Sequence, residues 1–240
     1  LLKLTWEDNI AFFDTATGSH TKTTPIGDLA FQKAQNAIDG KTSFGDAFYS
    51  FGINYPGAIT HNNHPSFLRQ VTTPDGQTRD IATVDILRDR ERGVPRYCEF
   101  RRLFHMKAPT TFLELTGGNK ELADKISTIY AGDLEKVDLL VGMFSEPLPK
   151  GFGFSDTAFR VFILMASRRI KSDRFLAGSA WGEHAYTKEG LKWVQDQTMG
   201  SVLTRHFPEL KPALKGKDNA FRPWVKVGKA AEYKGVETTV

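Results

Sequence analysis

The sequence predicts a mainly α-helical domain with long connecting loops. Three observations carry this reading: capped segments whose apolar residues recur every three or four positions, almost no apolar–polar alternation, and a stretch dense in Gly, Pro, Asn and Asp between positions 51 and 80. The segment Asp28 to Ile38 reads as the first amphipathic helix, with Leu29, Phe31, Ala34 and Ile38 apolar; the rest of residues 1 to about 50 reads as loops. In the turn-rich stretch, a short helix is expected only around Pro65 to Arg69.

Asp80 then predicts a capped helix with Ile81, Val84 and Leu87 inward and a charged opposite face, stopped by Gly93 and Pro95. Asn119 predicts a second cap for Lys120 to Tyr130, ended by Gly132, and Asp138 to Phe144 a further short helix. From Ser155, the residues Ala158, Phe159, Phe162, Ile163, Met165 and Ala166 make a helix apolar nearly all round, which is the pattern of a helix buried in a core. A last helix is expected from about Thr187 to His206, with Leu191, Val194 and Leu203 inward, since Pro208 cannot continue it. No internal linker divides residues 1–240, so one domain is expected, with a flexible tail from about 225 to 240.

With 240 residues, 40% hydrophobic and 25% charged, the chain has an ordinary globular composition and enough length to bury a core. The net charge of +4 is a small surplus of 32 basic over 28 acidic residues, a weak pointer to nucleic acid, and no such partner is expected. A lone cysteine, Cys98, forms no internal disulfide, and no apolar run reaches the roughly 18 residues of a membrane-spanning helix. The expected place is intracellular, in the cytoplasm or at a membrane periphery. An opening Leu1-Leu2-Lys3 without Met or leader gives the expectation of a chain that begins inside a longer one.

The densest chemistry lies in Arg88-Asp89-Arg90-Glu91-Arg92-Gly93-Val94-Pro95-Arg96-Tyr97, followed by Glu99, Arg101 and Arg102. On a helix, Asp85, Arg88 and Arg92 share one face, so two guanidiniums and a carboxylate can meet an anionic ligand together; the alternative is a salt-bridged solvent face. Arg168 and Arg169 end the apolar segment from Phe159, an arrangement suited to a long-chain acid; the alternative is pairing with Asp173 or Glu146. His61 and His64 have a spacing a metal could bridge on a helix, yet Pro65 and two asparagines favour a loop and further ligands are lacking. Gly151-Phe152-Gly153-Phe154 falls short of a phosphate loop, and Cys98 has no evident activating partner.

These residues resemble the animal-type haem peroxidases, and within them the fatty-acid α-dioxygenases of plants and their bacterial and fungal relatives. The resemblance rests on Asp85 to Tyr97, Glu99-Phe100-Arg101-Arg102, Val137 to Met143, Phe154 to Phe159, Leu164 to Arg169 and Asp173-Arg174-Phe175, in family order over about residues 45 to 224. It implies a haem-peroxidase-like helical fold, of which this chain is the carboxy-terminal half, and haem b as cofactor. It also implies a long-chain fatty acid with dioxygen or peroxide as reaction partners, and peripheral membrane contact of the parent. The residue matching Arg88 contacts a haem propionate, with Arg92 beside it, and the one matching Asp85 accepts a hydrogen bond from the proximal histidine and makes that ligand more basic. One of Arg168 and Arg169 is expected to anchor the substrate carboxylate. The family's axial histidine, its radical tyrosine and its calcium loop precede the matched region, and no residue here stands in for them. Relatives commonly carry Asn where this chain has Cys98.

The leading expectation is thus an oxidoreductase that oxygenates fatty acids to hydroperoxides, inactive as the isolated 240 residues. A haem peroxidase acting on small reductants is the rival within the enzyme class. A non-enzymatic module binding anions or nucleic acid through Arg88 to Arg102 is the rival outside it.

Overall fold

A computed structural model describes residues 9–54, 60–73 and 75–231, without the side chains of 31, 32 and 231. The described residues fall into two compact units, one within Gly57–Ser167 and one formed by Leu2–Pro56 with Arg168–Val240.

The second unit starts with an antiparallel hairpin of β1 (Asn9–Phe13) and β2 (His20–Pro25), which the sequence reading missed. Ile10, Phe12 and Phe13 are buried while β2 is polar throughout, so the alternation is too brief to signal a strand. The helix expected at Asp28 to Ile38 is instead two 3-10 turns, Ile26–Leu29 and Phe31–Ala37. Helix α1 (Phe44–Ile53), also missed, opens on a reciprocal cap in which Ser43 and Asp46 each satisfy the other's backbone N–H. Its Tyr49 and Ile53 pack with Phe13, Leu203, Leu210 and Trp224. Residues 225–230 are docked, not frayed: the Val227 N–H donates to the Tyr49 hydroxyl, Val225 N–H to Ala213 O, and Ala230 is buried. Of the expected flexible tail, residues 232–240 lie outside the described residues.

The first unit carries a short hairpin of β3 (Val71–Thr72) and β4 (Thr78–Arg79) before helix α2 (Ile81–Glu91). As expected, the Asp80 carboxylate accepts from Thr83 N–H and caps α2, whose Ile81 and Val84 are half-buried; Leu87, expected inward, is exposed. Helices α3 (Tyr97–Leu103), α4 (Phe112–Leu115), α5 (Lys120–Ile129) and α6 (Leu139–Ser145) follow, with Asn119 capping α5 as predicted. Tyr97, Cys98, Leu115, Ile126 and Val137 form their core. Gly142 of α6 lets the Tyr97 ring lie against the helix backbone, where a Cβ would overlap the ring.

Helix α7 (Asp156–Ser172) begins at Ser155 as expected, but it is not buried. Phe162, Ile163, Leu164, Met165 and Ile170 are 41–59% exposed, and Thr157 is the helix's one buried residue. The all-round apolar pattern was correct and its cover is missing from the described residues. The single helix expected from Thr187 to His206 is two, α8 (Glu183–Asp196), kinked at Thr187, and α9 (Met199–His206). Thr198 accepts from Ser201 N–H and starts α9 afresh, a capping signal strong enough to break the run. Among the described residues no helix is long and apolar enough to cross a membrane.

Candidate functional site

Helix α2 splits its arginines by face. Arg90 points to the α6 side and binds Asp138 with both Nε and Nη2, at 2.9 and 2.6 Å. Arg96 joins it on the same carboxylate, and the Tyr130 hydroxyl donates at 2.8 Å. Asp138 is thereby buried with every lone pair engaged. Arg101 donates to Glu146 at 2.9 Å, and Arg102 pairs with Glu99 and Glu135. Four arginines of the basic run are therefore consumed by carboxylates of the fold. The charge of these four is met within the fold, which weighs against the rival reading of the run as a general anion- or nucleic-acid-binding module.

Asp85, Arg88 and Arg92 are the exceptions. They lie on the opposite face of α2, all exposed, and none forms an ion pair among the described residues. The salt-bridged solvent face is thus not what these three residues make. Of the three, Asp85 lines a largely apolar hollow of about 350 Å³, bounded also by Ile86, Leu140, Phe144, His61 and His64. Burial holds the His61 imidazole below its ordinary pKa and so favours the neutral ring. Among the described residues no cluster of His, Cys, Asp and Glu is set to hold a metal ion.

Arg168 and Arg169 are exposed in the last turns of α7 and form no ion pair among the described residues. The pairing with Glu146 considered from sequence does not occur, since Glu146 accepts from Arg101, Tyr97 and Thr157 instead. Asp173 caps the following turn by accepting from Phe175 N–H at 2.8 Å. Cys98 is buried, and desolvation pushes its thiol up to about 11, so it is inert at neutral pH.

Sequence reasoning missed the two buried carboxylates, Asp138 and Glu146, as organisers. The signal was available: both flank the short apolar segment 139–145, where an unpaired carboxylate would be costly, and cationic partners had to come from the arginine-rich segment.

The residues present fit one edge of a haem. Among the described residues two unpaired guanidiniums suit propionates, an unpaired carboxylate suits an imidazole N–H, and an apolar wall adjoins that carboxylate. The hollow alone is at the low end of the roughly 300–1,000 Å³ of small-molecule sites, so the described residues supply a wall and not an enclosure.

The family model described as animal haem peroxidase matches residues 2–221. The chain is 39% identical over 206 residues to alpha-dioxygenase PIOX of Oryza sativa subsp. japonica, covering 83% of this chain and 33% of that protein. The crystal structure of Oryza sativa fatty acid alpha-dioxygenase superposes with a TM-score of 0.80 at 35% identity, over 90% of this chain and 37% of the other. A variant of the rice enzyme, solved with palmitic acid, superposes equally well at 0.80. The chain spans about a third of the length of the curated relatives it matches. It belongs to the animal haem peroxidase family.

Proposed function

We propose that this chain forms the propionate-binding and substrate-anchoring part of a haem-dependent fatty-acid dioxygenase, which converts long-chain fatty acids to hydroperoxides. The observation that carries the reading is α7: an exposed apolar face running into Arg168 and Arg169, neither paired within the described residues. An acyl chain along such a face with its carboxylate on a guanidinium satisfies both at once. The palmitic acid bound to the similar rice enzyme supports the same class of substrate.

Haem, when bound, supplies the oxidising chemistry. This chain's residues would do the rest of the local work: Arg88 and Arg92 would hold propionates, and Asp85 would accept a hydrogen bond from an imidazole N–H and fix that ring's tautomer. Ile86, Leu140 and Phe144 exclude water on that side. In this reading the axial histidine, any calcium site and the encounter with dioxygen belong to polypeptide outside residues 1–240, and the isolated chain turns over no substrate.

The test is a chimera of the rice enzyme with its matching third replaced by this chain. It is expected to take up haem with a Soret band and to consume oxygen on palmitic acid without added peroxide. Arg168→Ala and Arg169→Ala together are expected to raise KM for palmitic acid about tenfold or more, the worth of a charge-assisted contact. A folded, haem-loaded chimera that needs peroxide and oxidises only small reductants overturns the fatty-acid reading in favour of a peroxidase.

A further inference from the structure

The basic surplus of the chain is concentrated in one stretch of the second unit. Between Phe207 and Lys229 six basic residues, Lys211, Lys215, Lys217, Arg222, Lys226 and Lys229, stand against Glu209 and Asp218, a surplus of four that equals that of all 240 residues. Asp218 binds Arg222 at 3.1 Å, while the five lysines form no ion pair among the described residues. Lys217 is half-buried and the other four are exposed.

This stretch runs along helix α1. The Phe207 and Phe48 ring centroids are 5.2 Å apart. A Cβ on Gly45 would overlap the Glu209 side chain, and one on Gly52 would overlap the Trp224 ring, so two glycines on one flank of α1 let the stretch approach. Trp224 N–H donates to Gly52 O at 2.9 Å, and Val225 N–H donates to Ala213 O at 2.9 Å, which fastens the two arms of the stretch to the helix and to each other. On the adjoining face of α1, Phe44, Phe48 and Phe51 are spaced i, i+4, i+7 and are 58, 37 and 50% exposed. Tyr49 and Ile53 hold the opposite face in the core. Phe221, within the lysine-bearing stretch, is 80% exposed.

A row of phenylalanines beside unpaired lysines is what an interfacial helix presents to a bilayer: the rings enter the boundary between headgroups and acyl chains, and the ammonium groups meet anionic headgroups. A protein cover fits this surface less well. Lysines are depleted from buried interface centres, and each one desolvated there needs a carboxylate partner.

We propose that the outer face of α1 and the 207–229 stretch form a docking surface for an anionic lipid bilayer, with Phe44, Phe48 and Phe51 at the headgroup boundary and the lysines over the headgroups. Contact is at the bilayer surface: among the described residues no helix is long and apolar enough to cross one. The surface uses none of the residues assigned above to haem or fatty acid, so the two ideas fail separately.

The test is co-sedimentation of the 240-residue chain with vesicles of phosphatidylcholine alone and of phosphatidylcholine with about one third phosphatidylserine. Binding is expected on the anionic vesicles and about tenfold weaker or less on the neutral ones. Lys211→Gln with Lys215→Gln is expected to reduce it about tenfold or more, at roughly fivefold per lysine. Phe44→Ser is expected to weaken it about fivefold, the worth of a partly buried ring, with the melting temperature within a few degrees of wild type. Equal binding to both vesicle types, or none to the anionic ones, overturns the proposal. So does binding that Phe44→Ser leaves unchanged, which is adsorption by charge alone, or tighter binding to a single-stranded oligonucleotide than to vesicles. A dimer in sedimentation equilibrium that Phe44→Ser dissolves also overturns it, in favour of a second copy. Repeating the assay with the folded rice chimera separates a lipid surface from a face that further polypeptide covers: vesicle binding that the chimera keeps and the lysine pair removes upholds the proposal, and binding confined to the isolated chain overturns it.

Discussion

Gly142 and Tyr97 show how one missing side chain sets the geometry of the first unit. The ring occupies the space a Cβ would fill, so Gly142→Ala is expected to destabilise the chain by about 1–3 kcal/mol through overpacking. Gly40→Ala, which meets nothing within 4 Å, should stay within about 0.5 kcal/mol, and urea titration of the two variants checks both. Asp46 offers a pH test. Desolvation raises its pKa, but hydrogen bonds from Ser43 and Thr15 outweigh that and leave the carboxyl below its ordinary 3.8. A depressed folded pKa contributes stability that is complete above the unfolded value of about 3.9 and is lost as pH falls through the folded one. Stability of the wild-type chain should therefore fall as the pH drops below about 4, and Asp46→Asn should flatten that slope in pH-dependent unfolding. At this scale the sequence was informative about which arginines share a face with Asp85, because helical period alone decides it. It was silent about which arginines are spent, because Asp138 and Glu146 are 48 and 45 residues from Arg90 and Arg101.

Elements that announce themselves locally were readable. Asp80 and Asn119 cap α2 and α5 through contacts three residues away, and the sequence holds all the information for such contacts. The Ser43 to Asp46 box was equally local and was overlooked, as the polar residues of α1, Asp46 and Ser50, are themselves buried and give it no polar outer face. The β1–β2 hairpin could not be read from β2, whose residues are polar on both sides and take their pairing from β1. Helix α7 is the sharpest case: its pattern asked for burial and the described residues do not provide it. Replacing Phe162 and Met165 together by Ser is expected to lower the fluorescence of a bound hydrophobic dye while leaving the melting temperature within a few degrees, about the scatter of a surface change. A large fall in melting temperature would mean that this face is already core in the isolated chain.

Over the whole molecule, the same sequence serves two kinds of packing. One set of residues closes the cores around Tyr97 and around Tyr49 and is satisfied within the chain. Another set, Asp85 and Arg88 on α2 with Arg92 at its end, and the apolar face of α7 with Arg168 and Arg169, is left open among the described residues. Under the proposed function the second set would meet haem and further polypeptide; the curated relatives that the chain matches are about three times its length. The resemblance was legible in full from the blocks around Arg88 and Arg168, because they are long and ordered. The open surfaces were not, because exposure is a property of what surrounds a residue.

The most direct test of the central claim is haem titration of the rice chimera carrying this chain, comparing Arg88→Ala with Arg102→Ala. Loss of a charge-assisted propionate contact, about 1.5–3 kcal/mol, predicts roughly tenfold or greater weakening of haem affinity for Arg88→Ala and no change for Arg102→Ala, whose guanidinium is held by Glu99 and Glu135. Equal haem affinity in the two variants and the parent chimera would contradict the account.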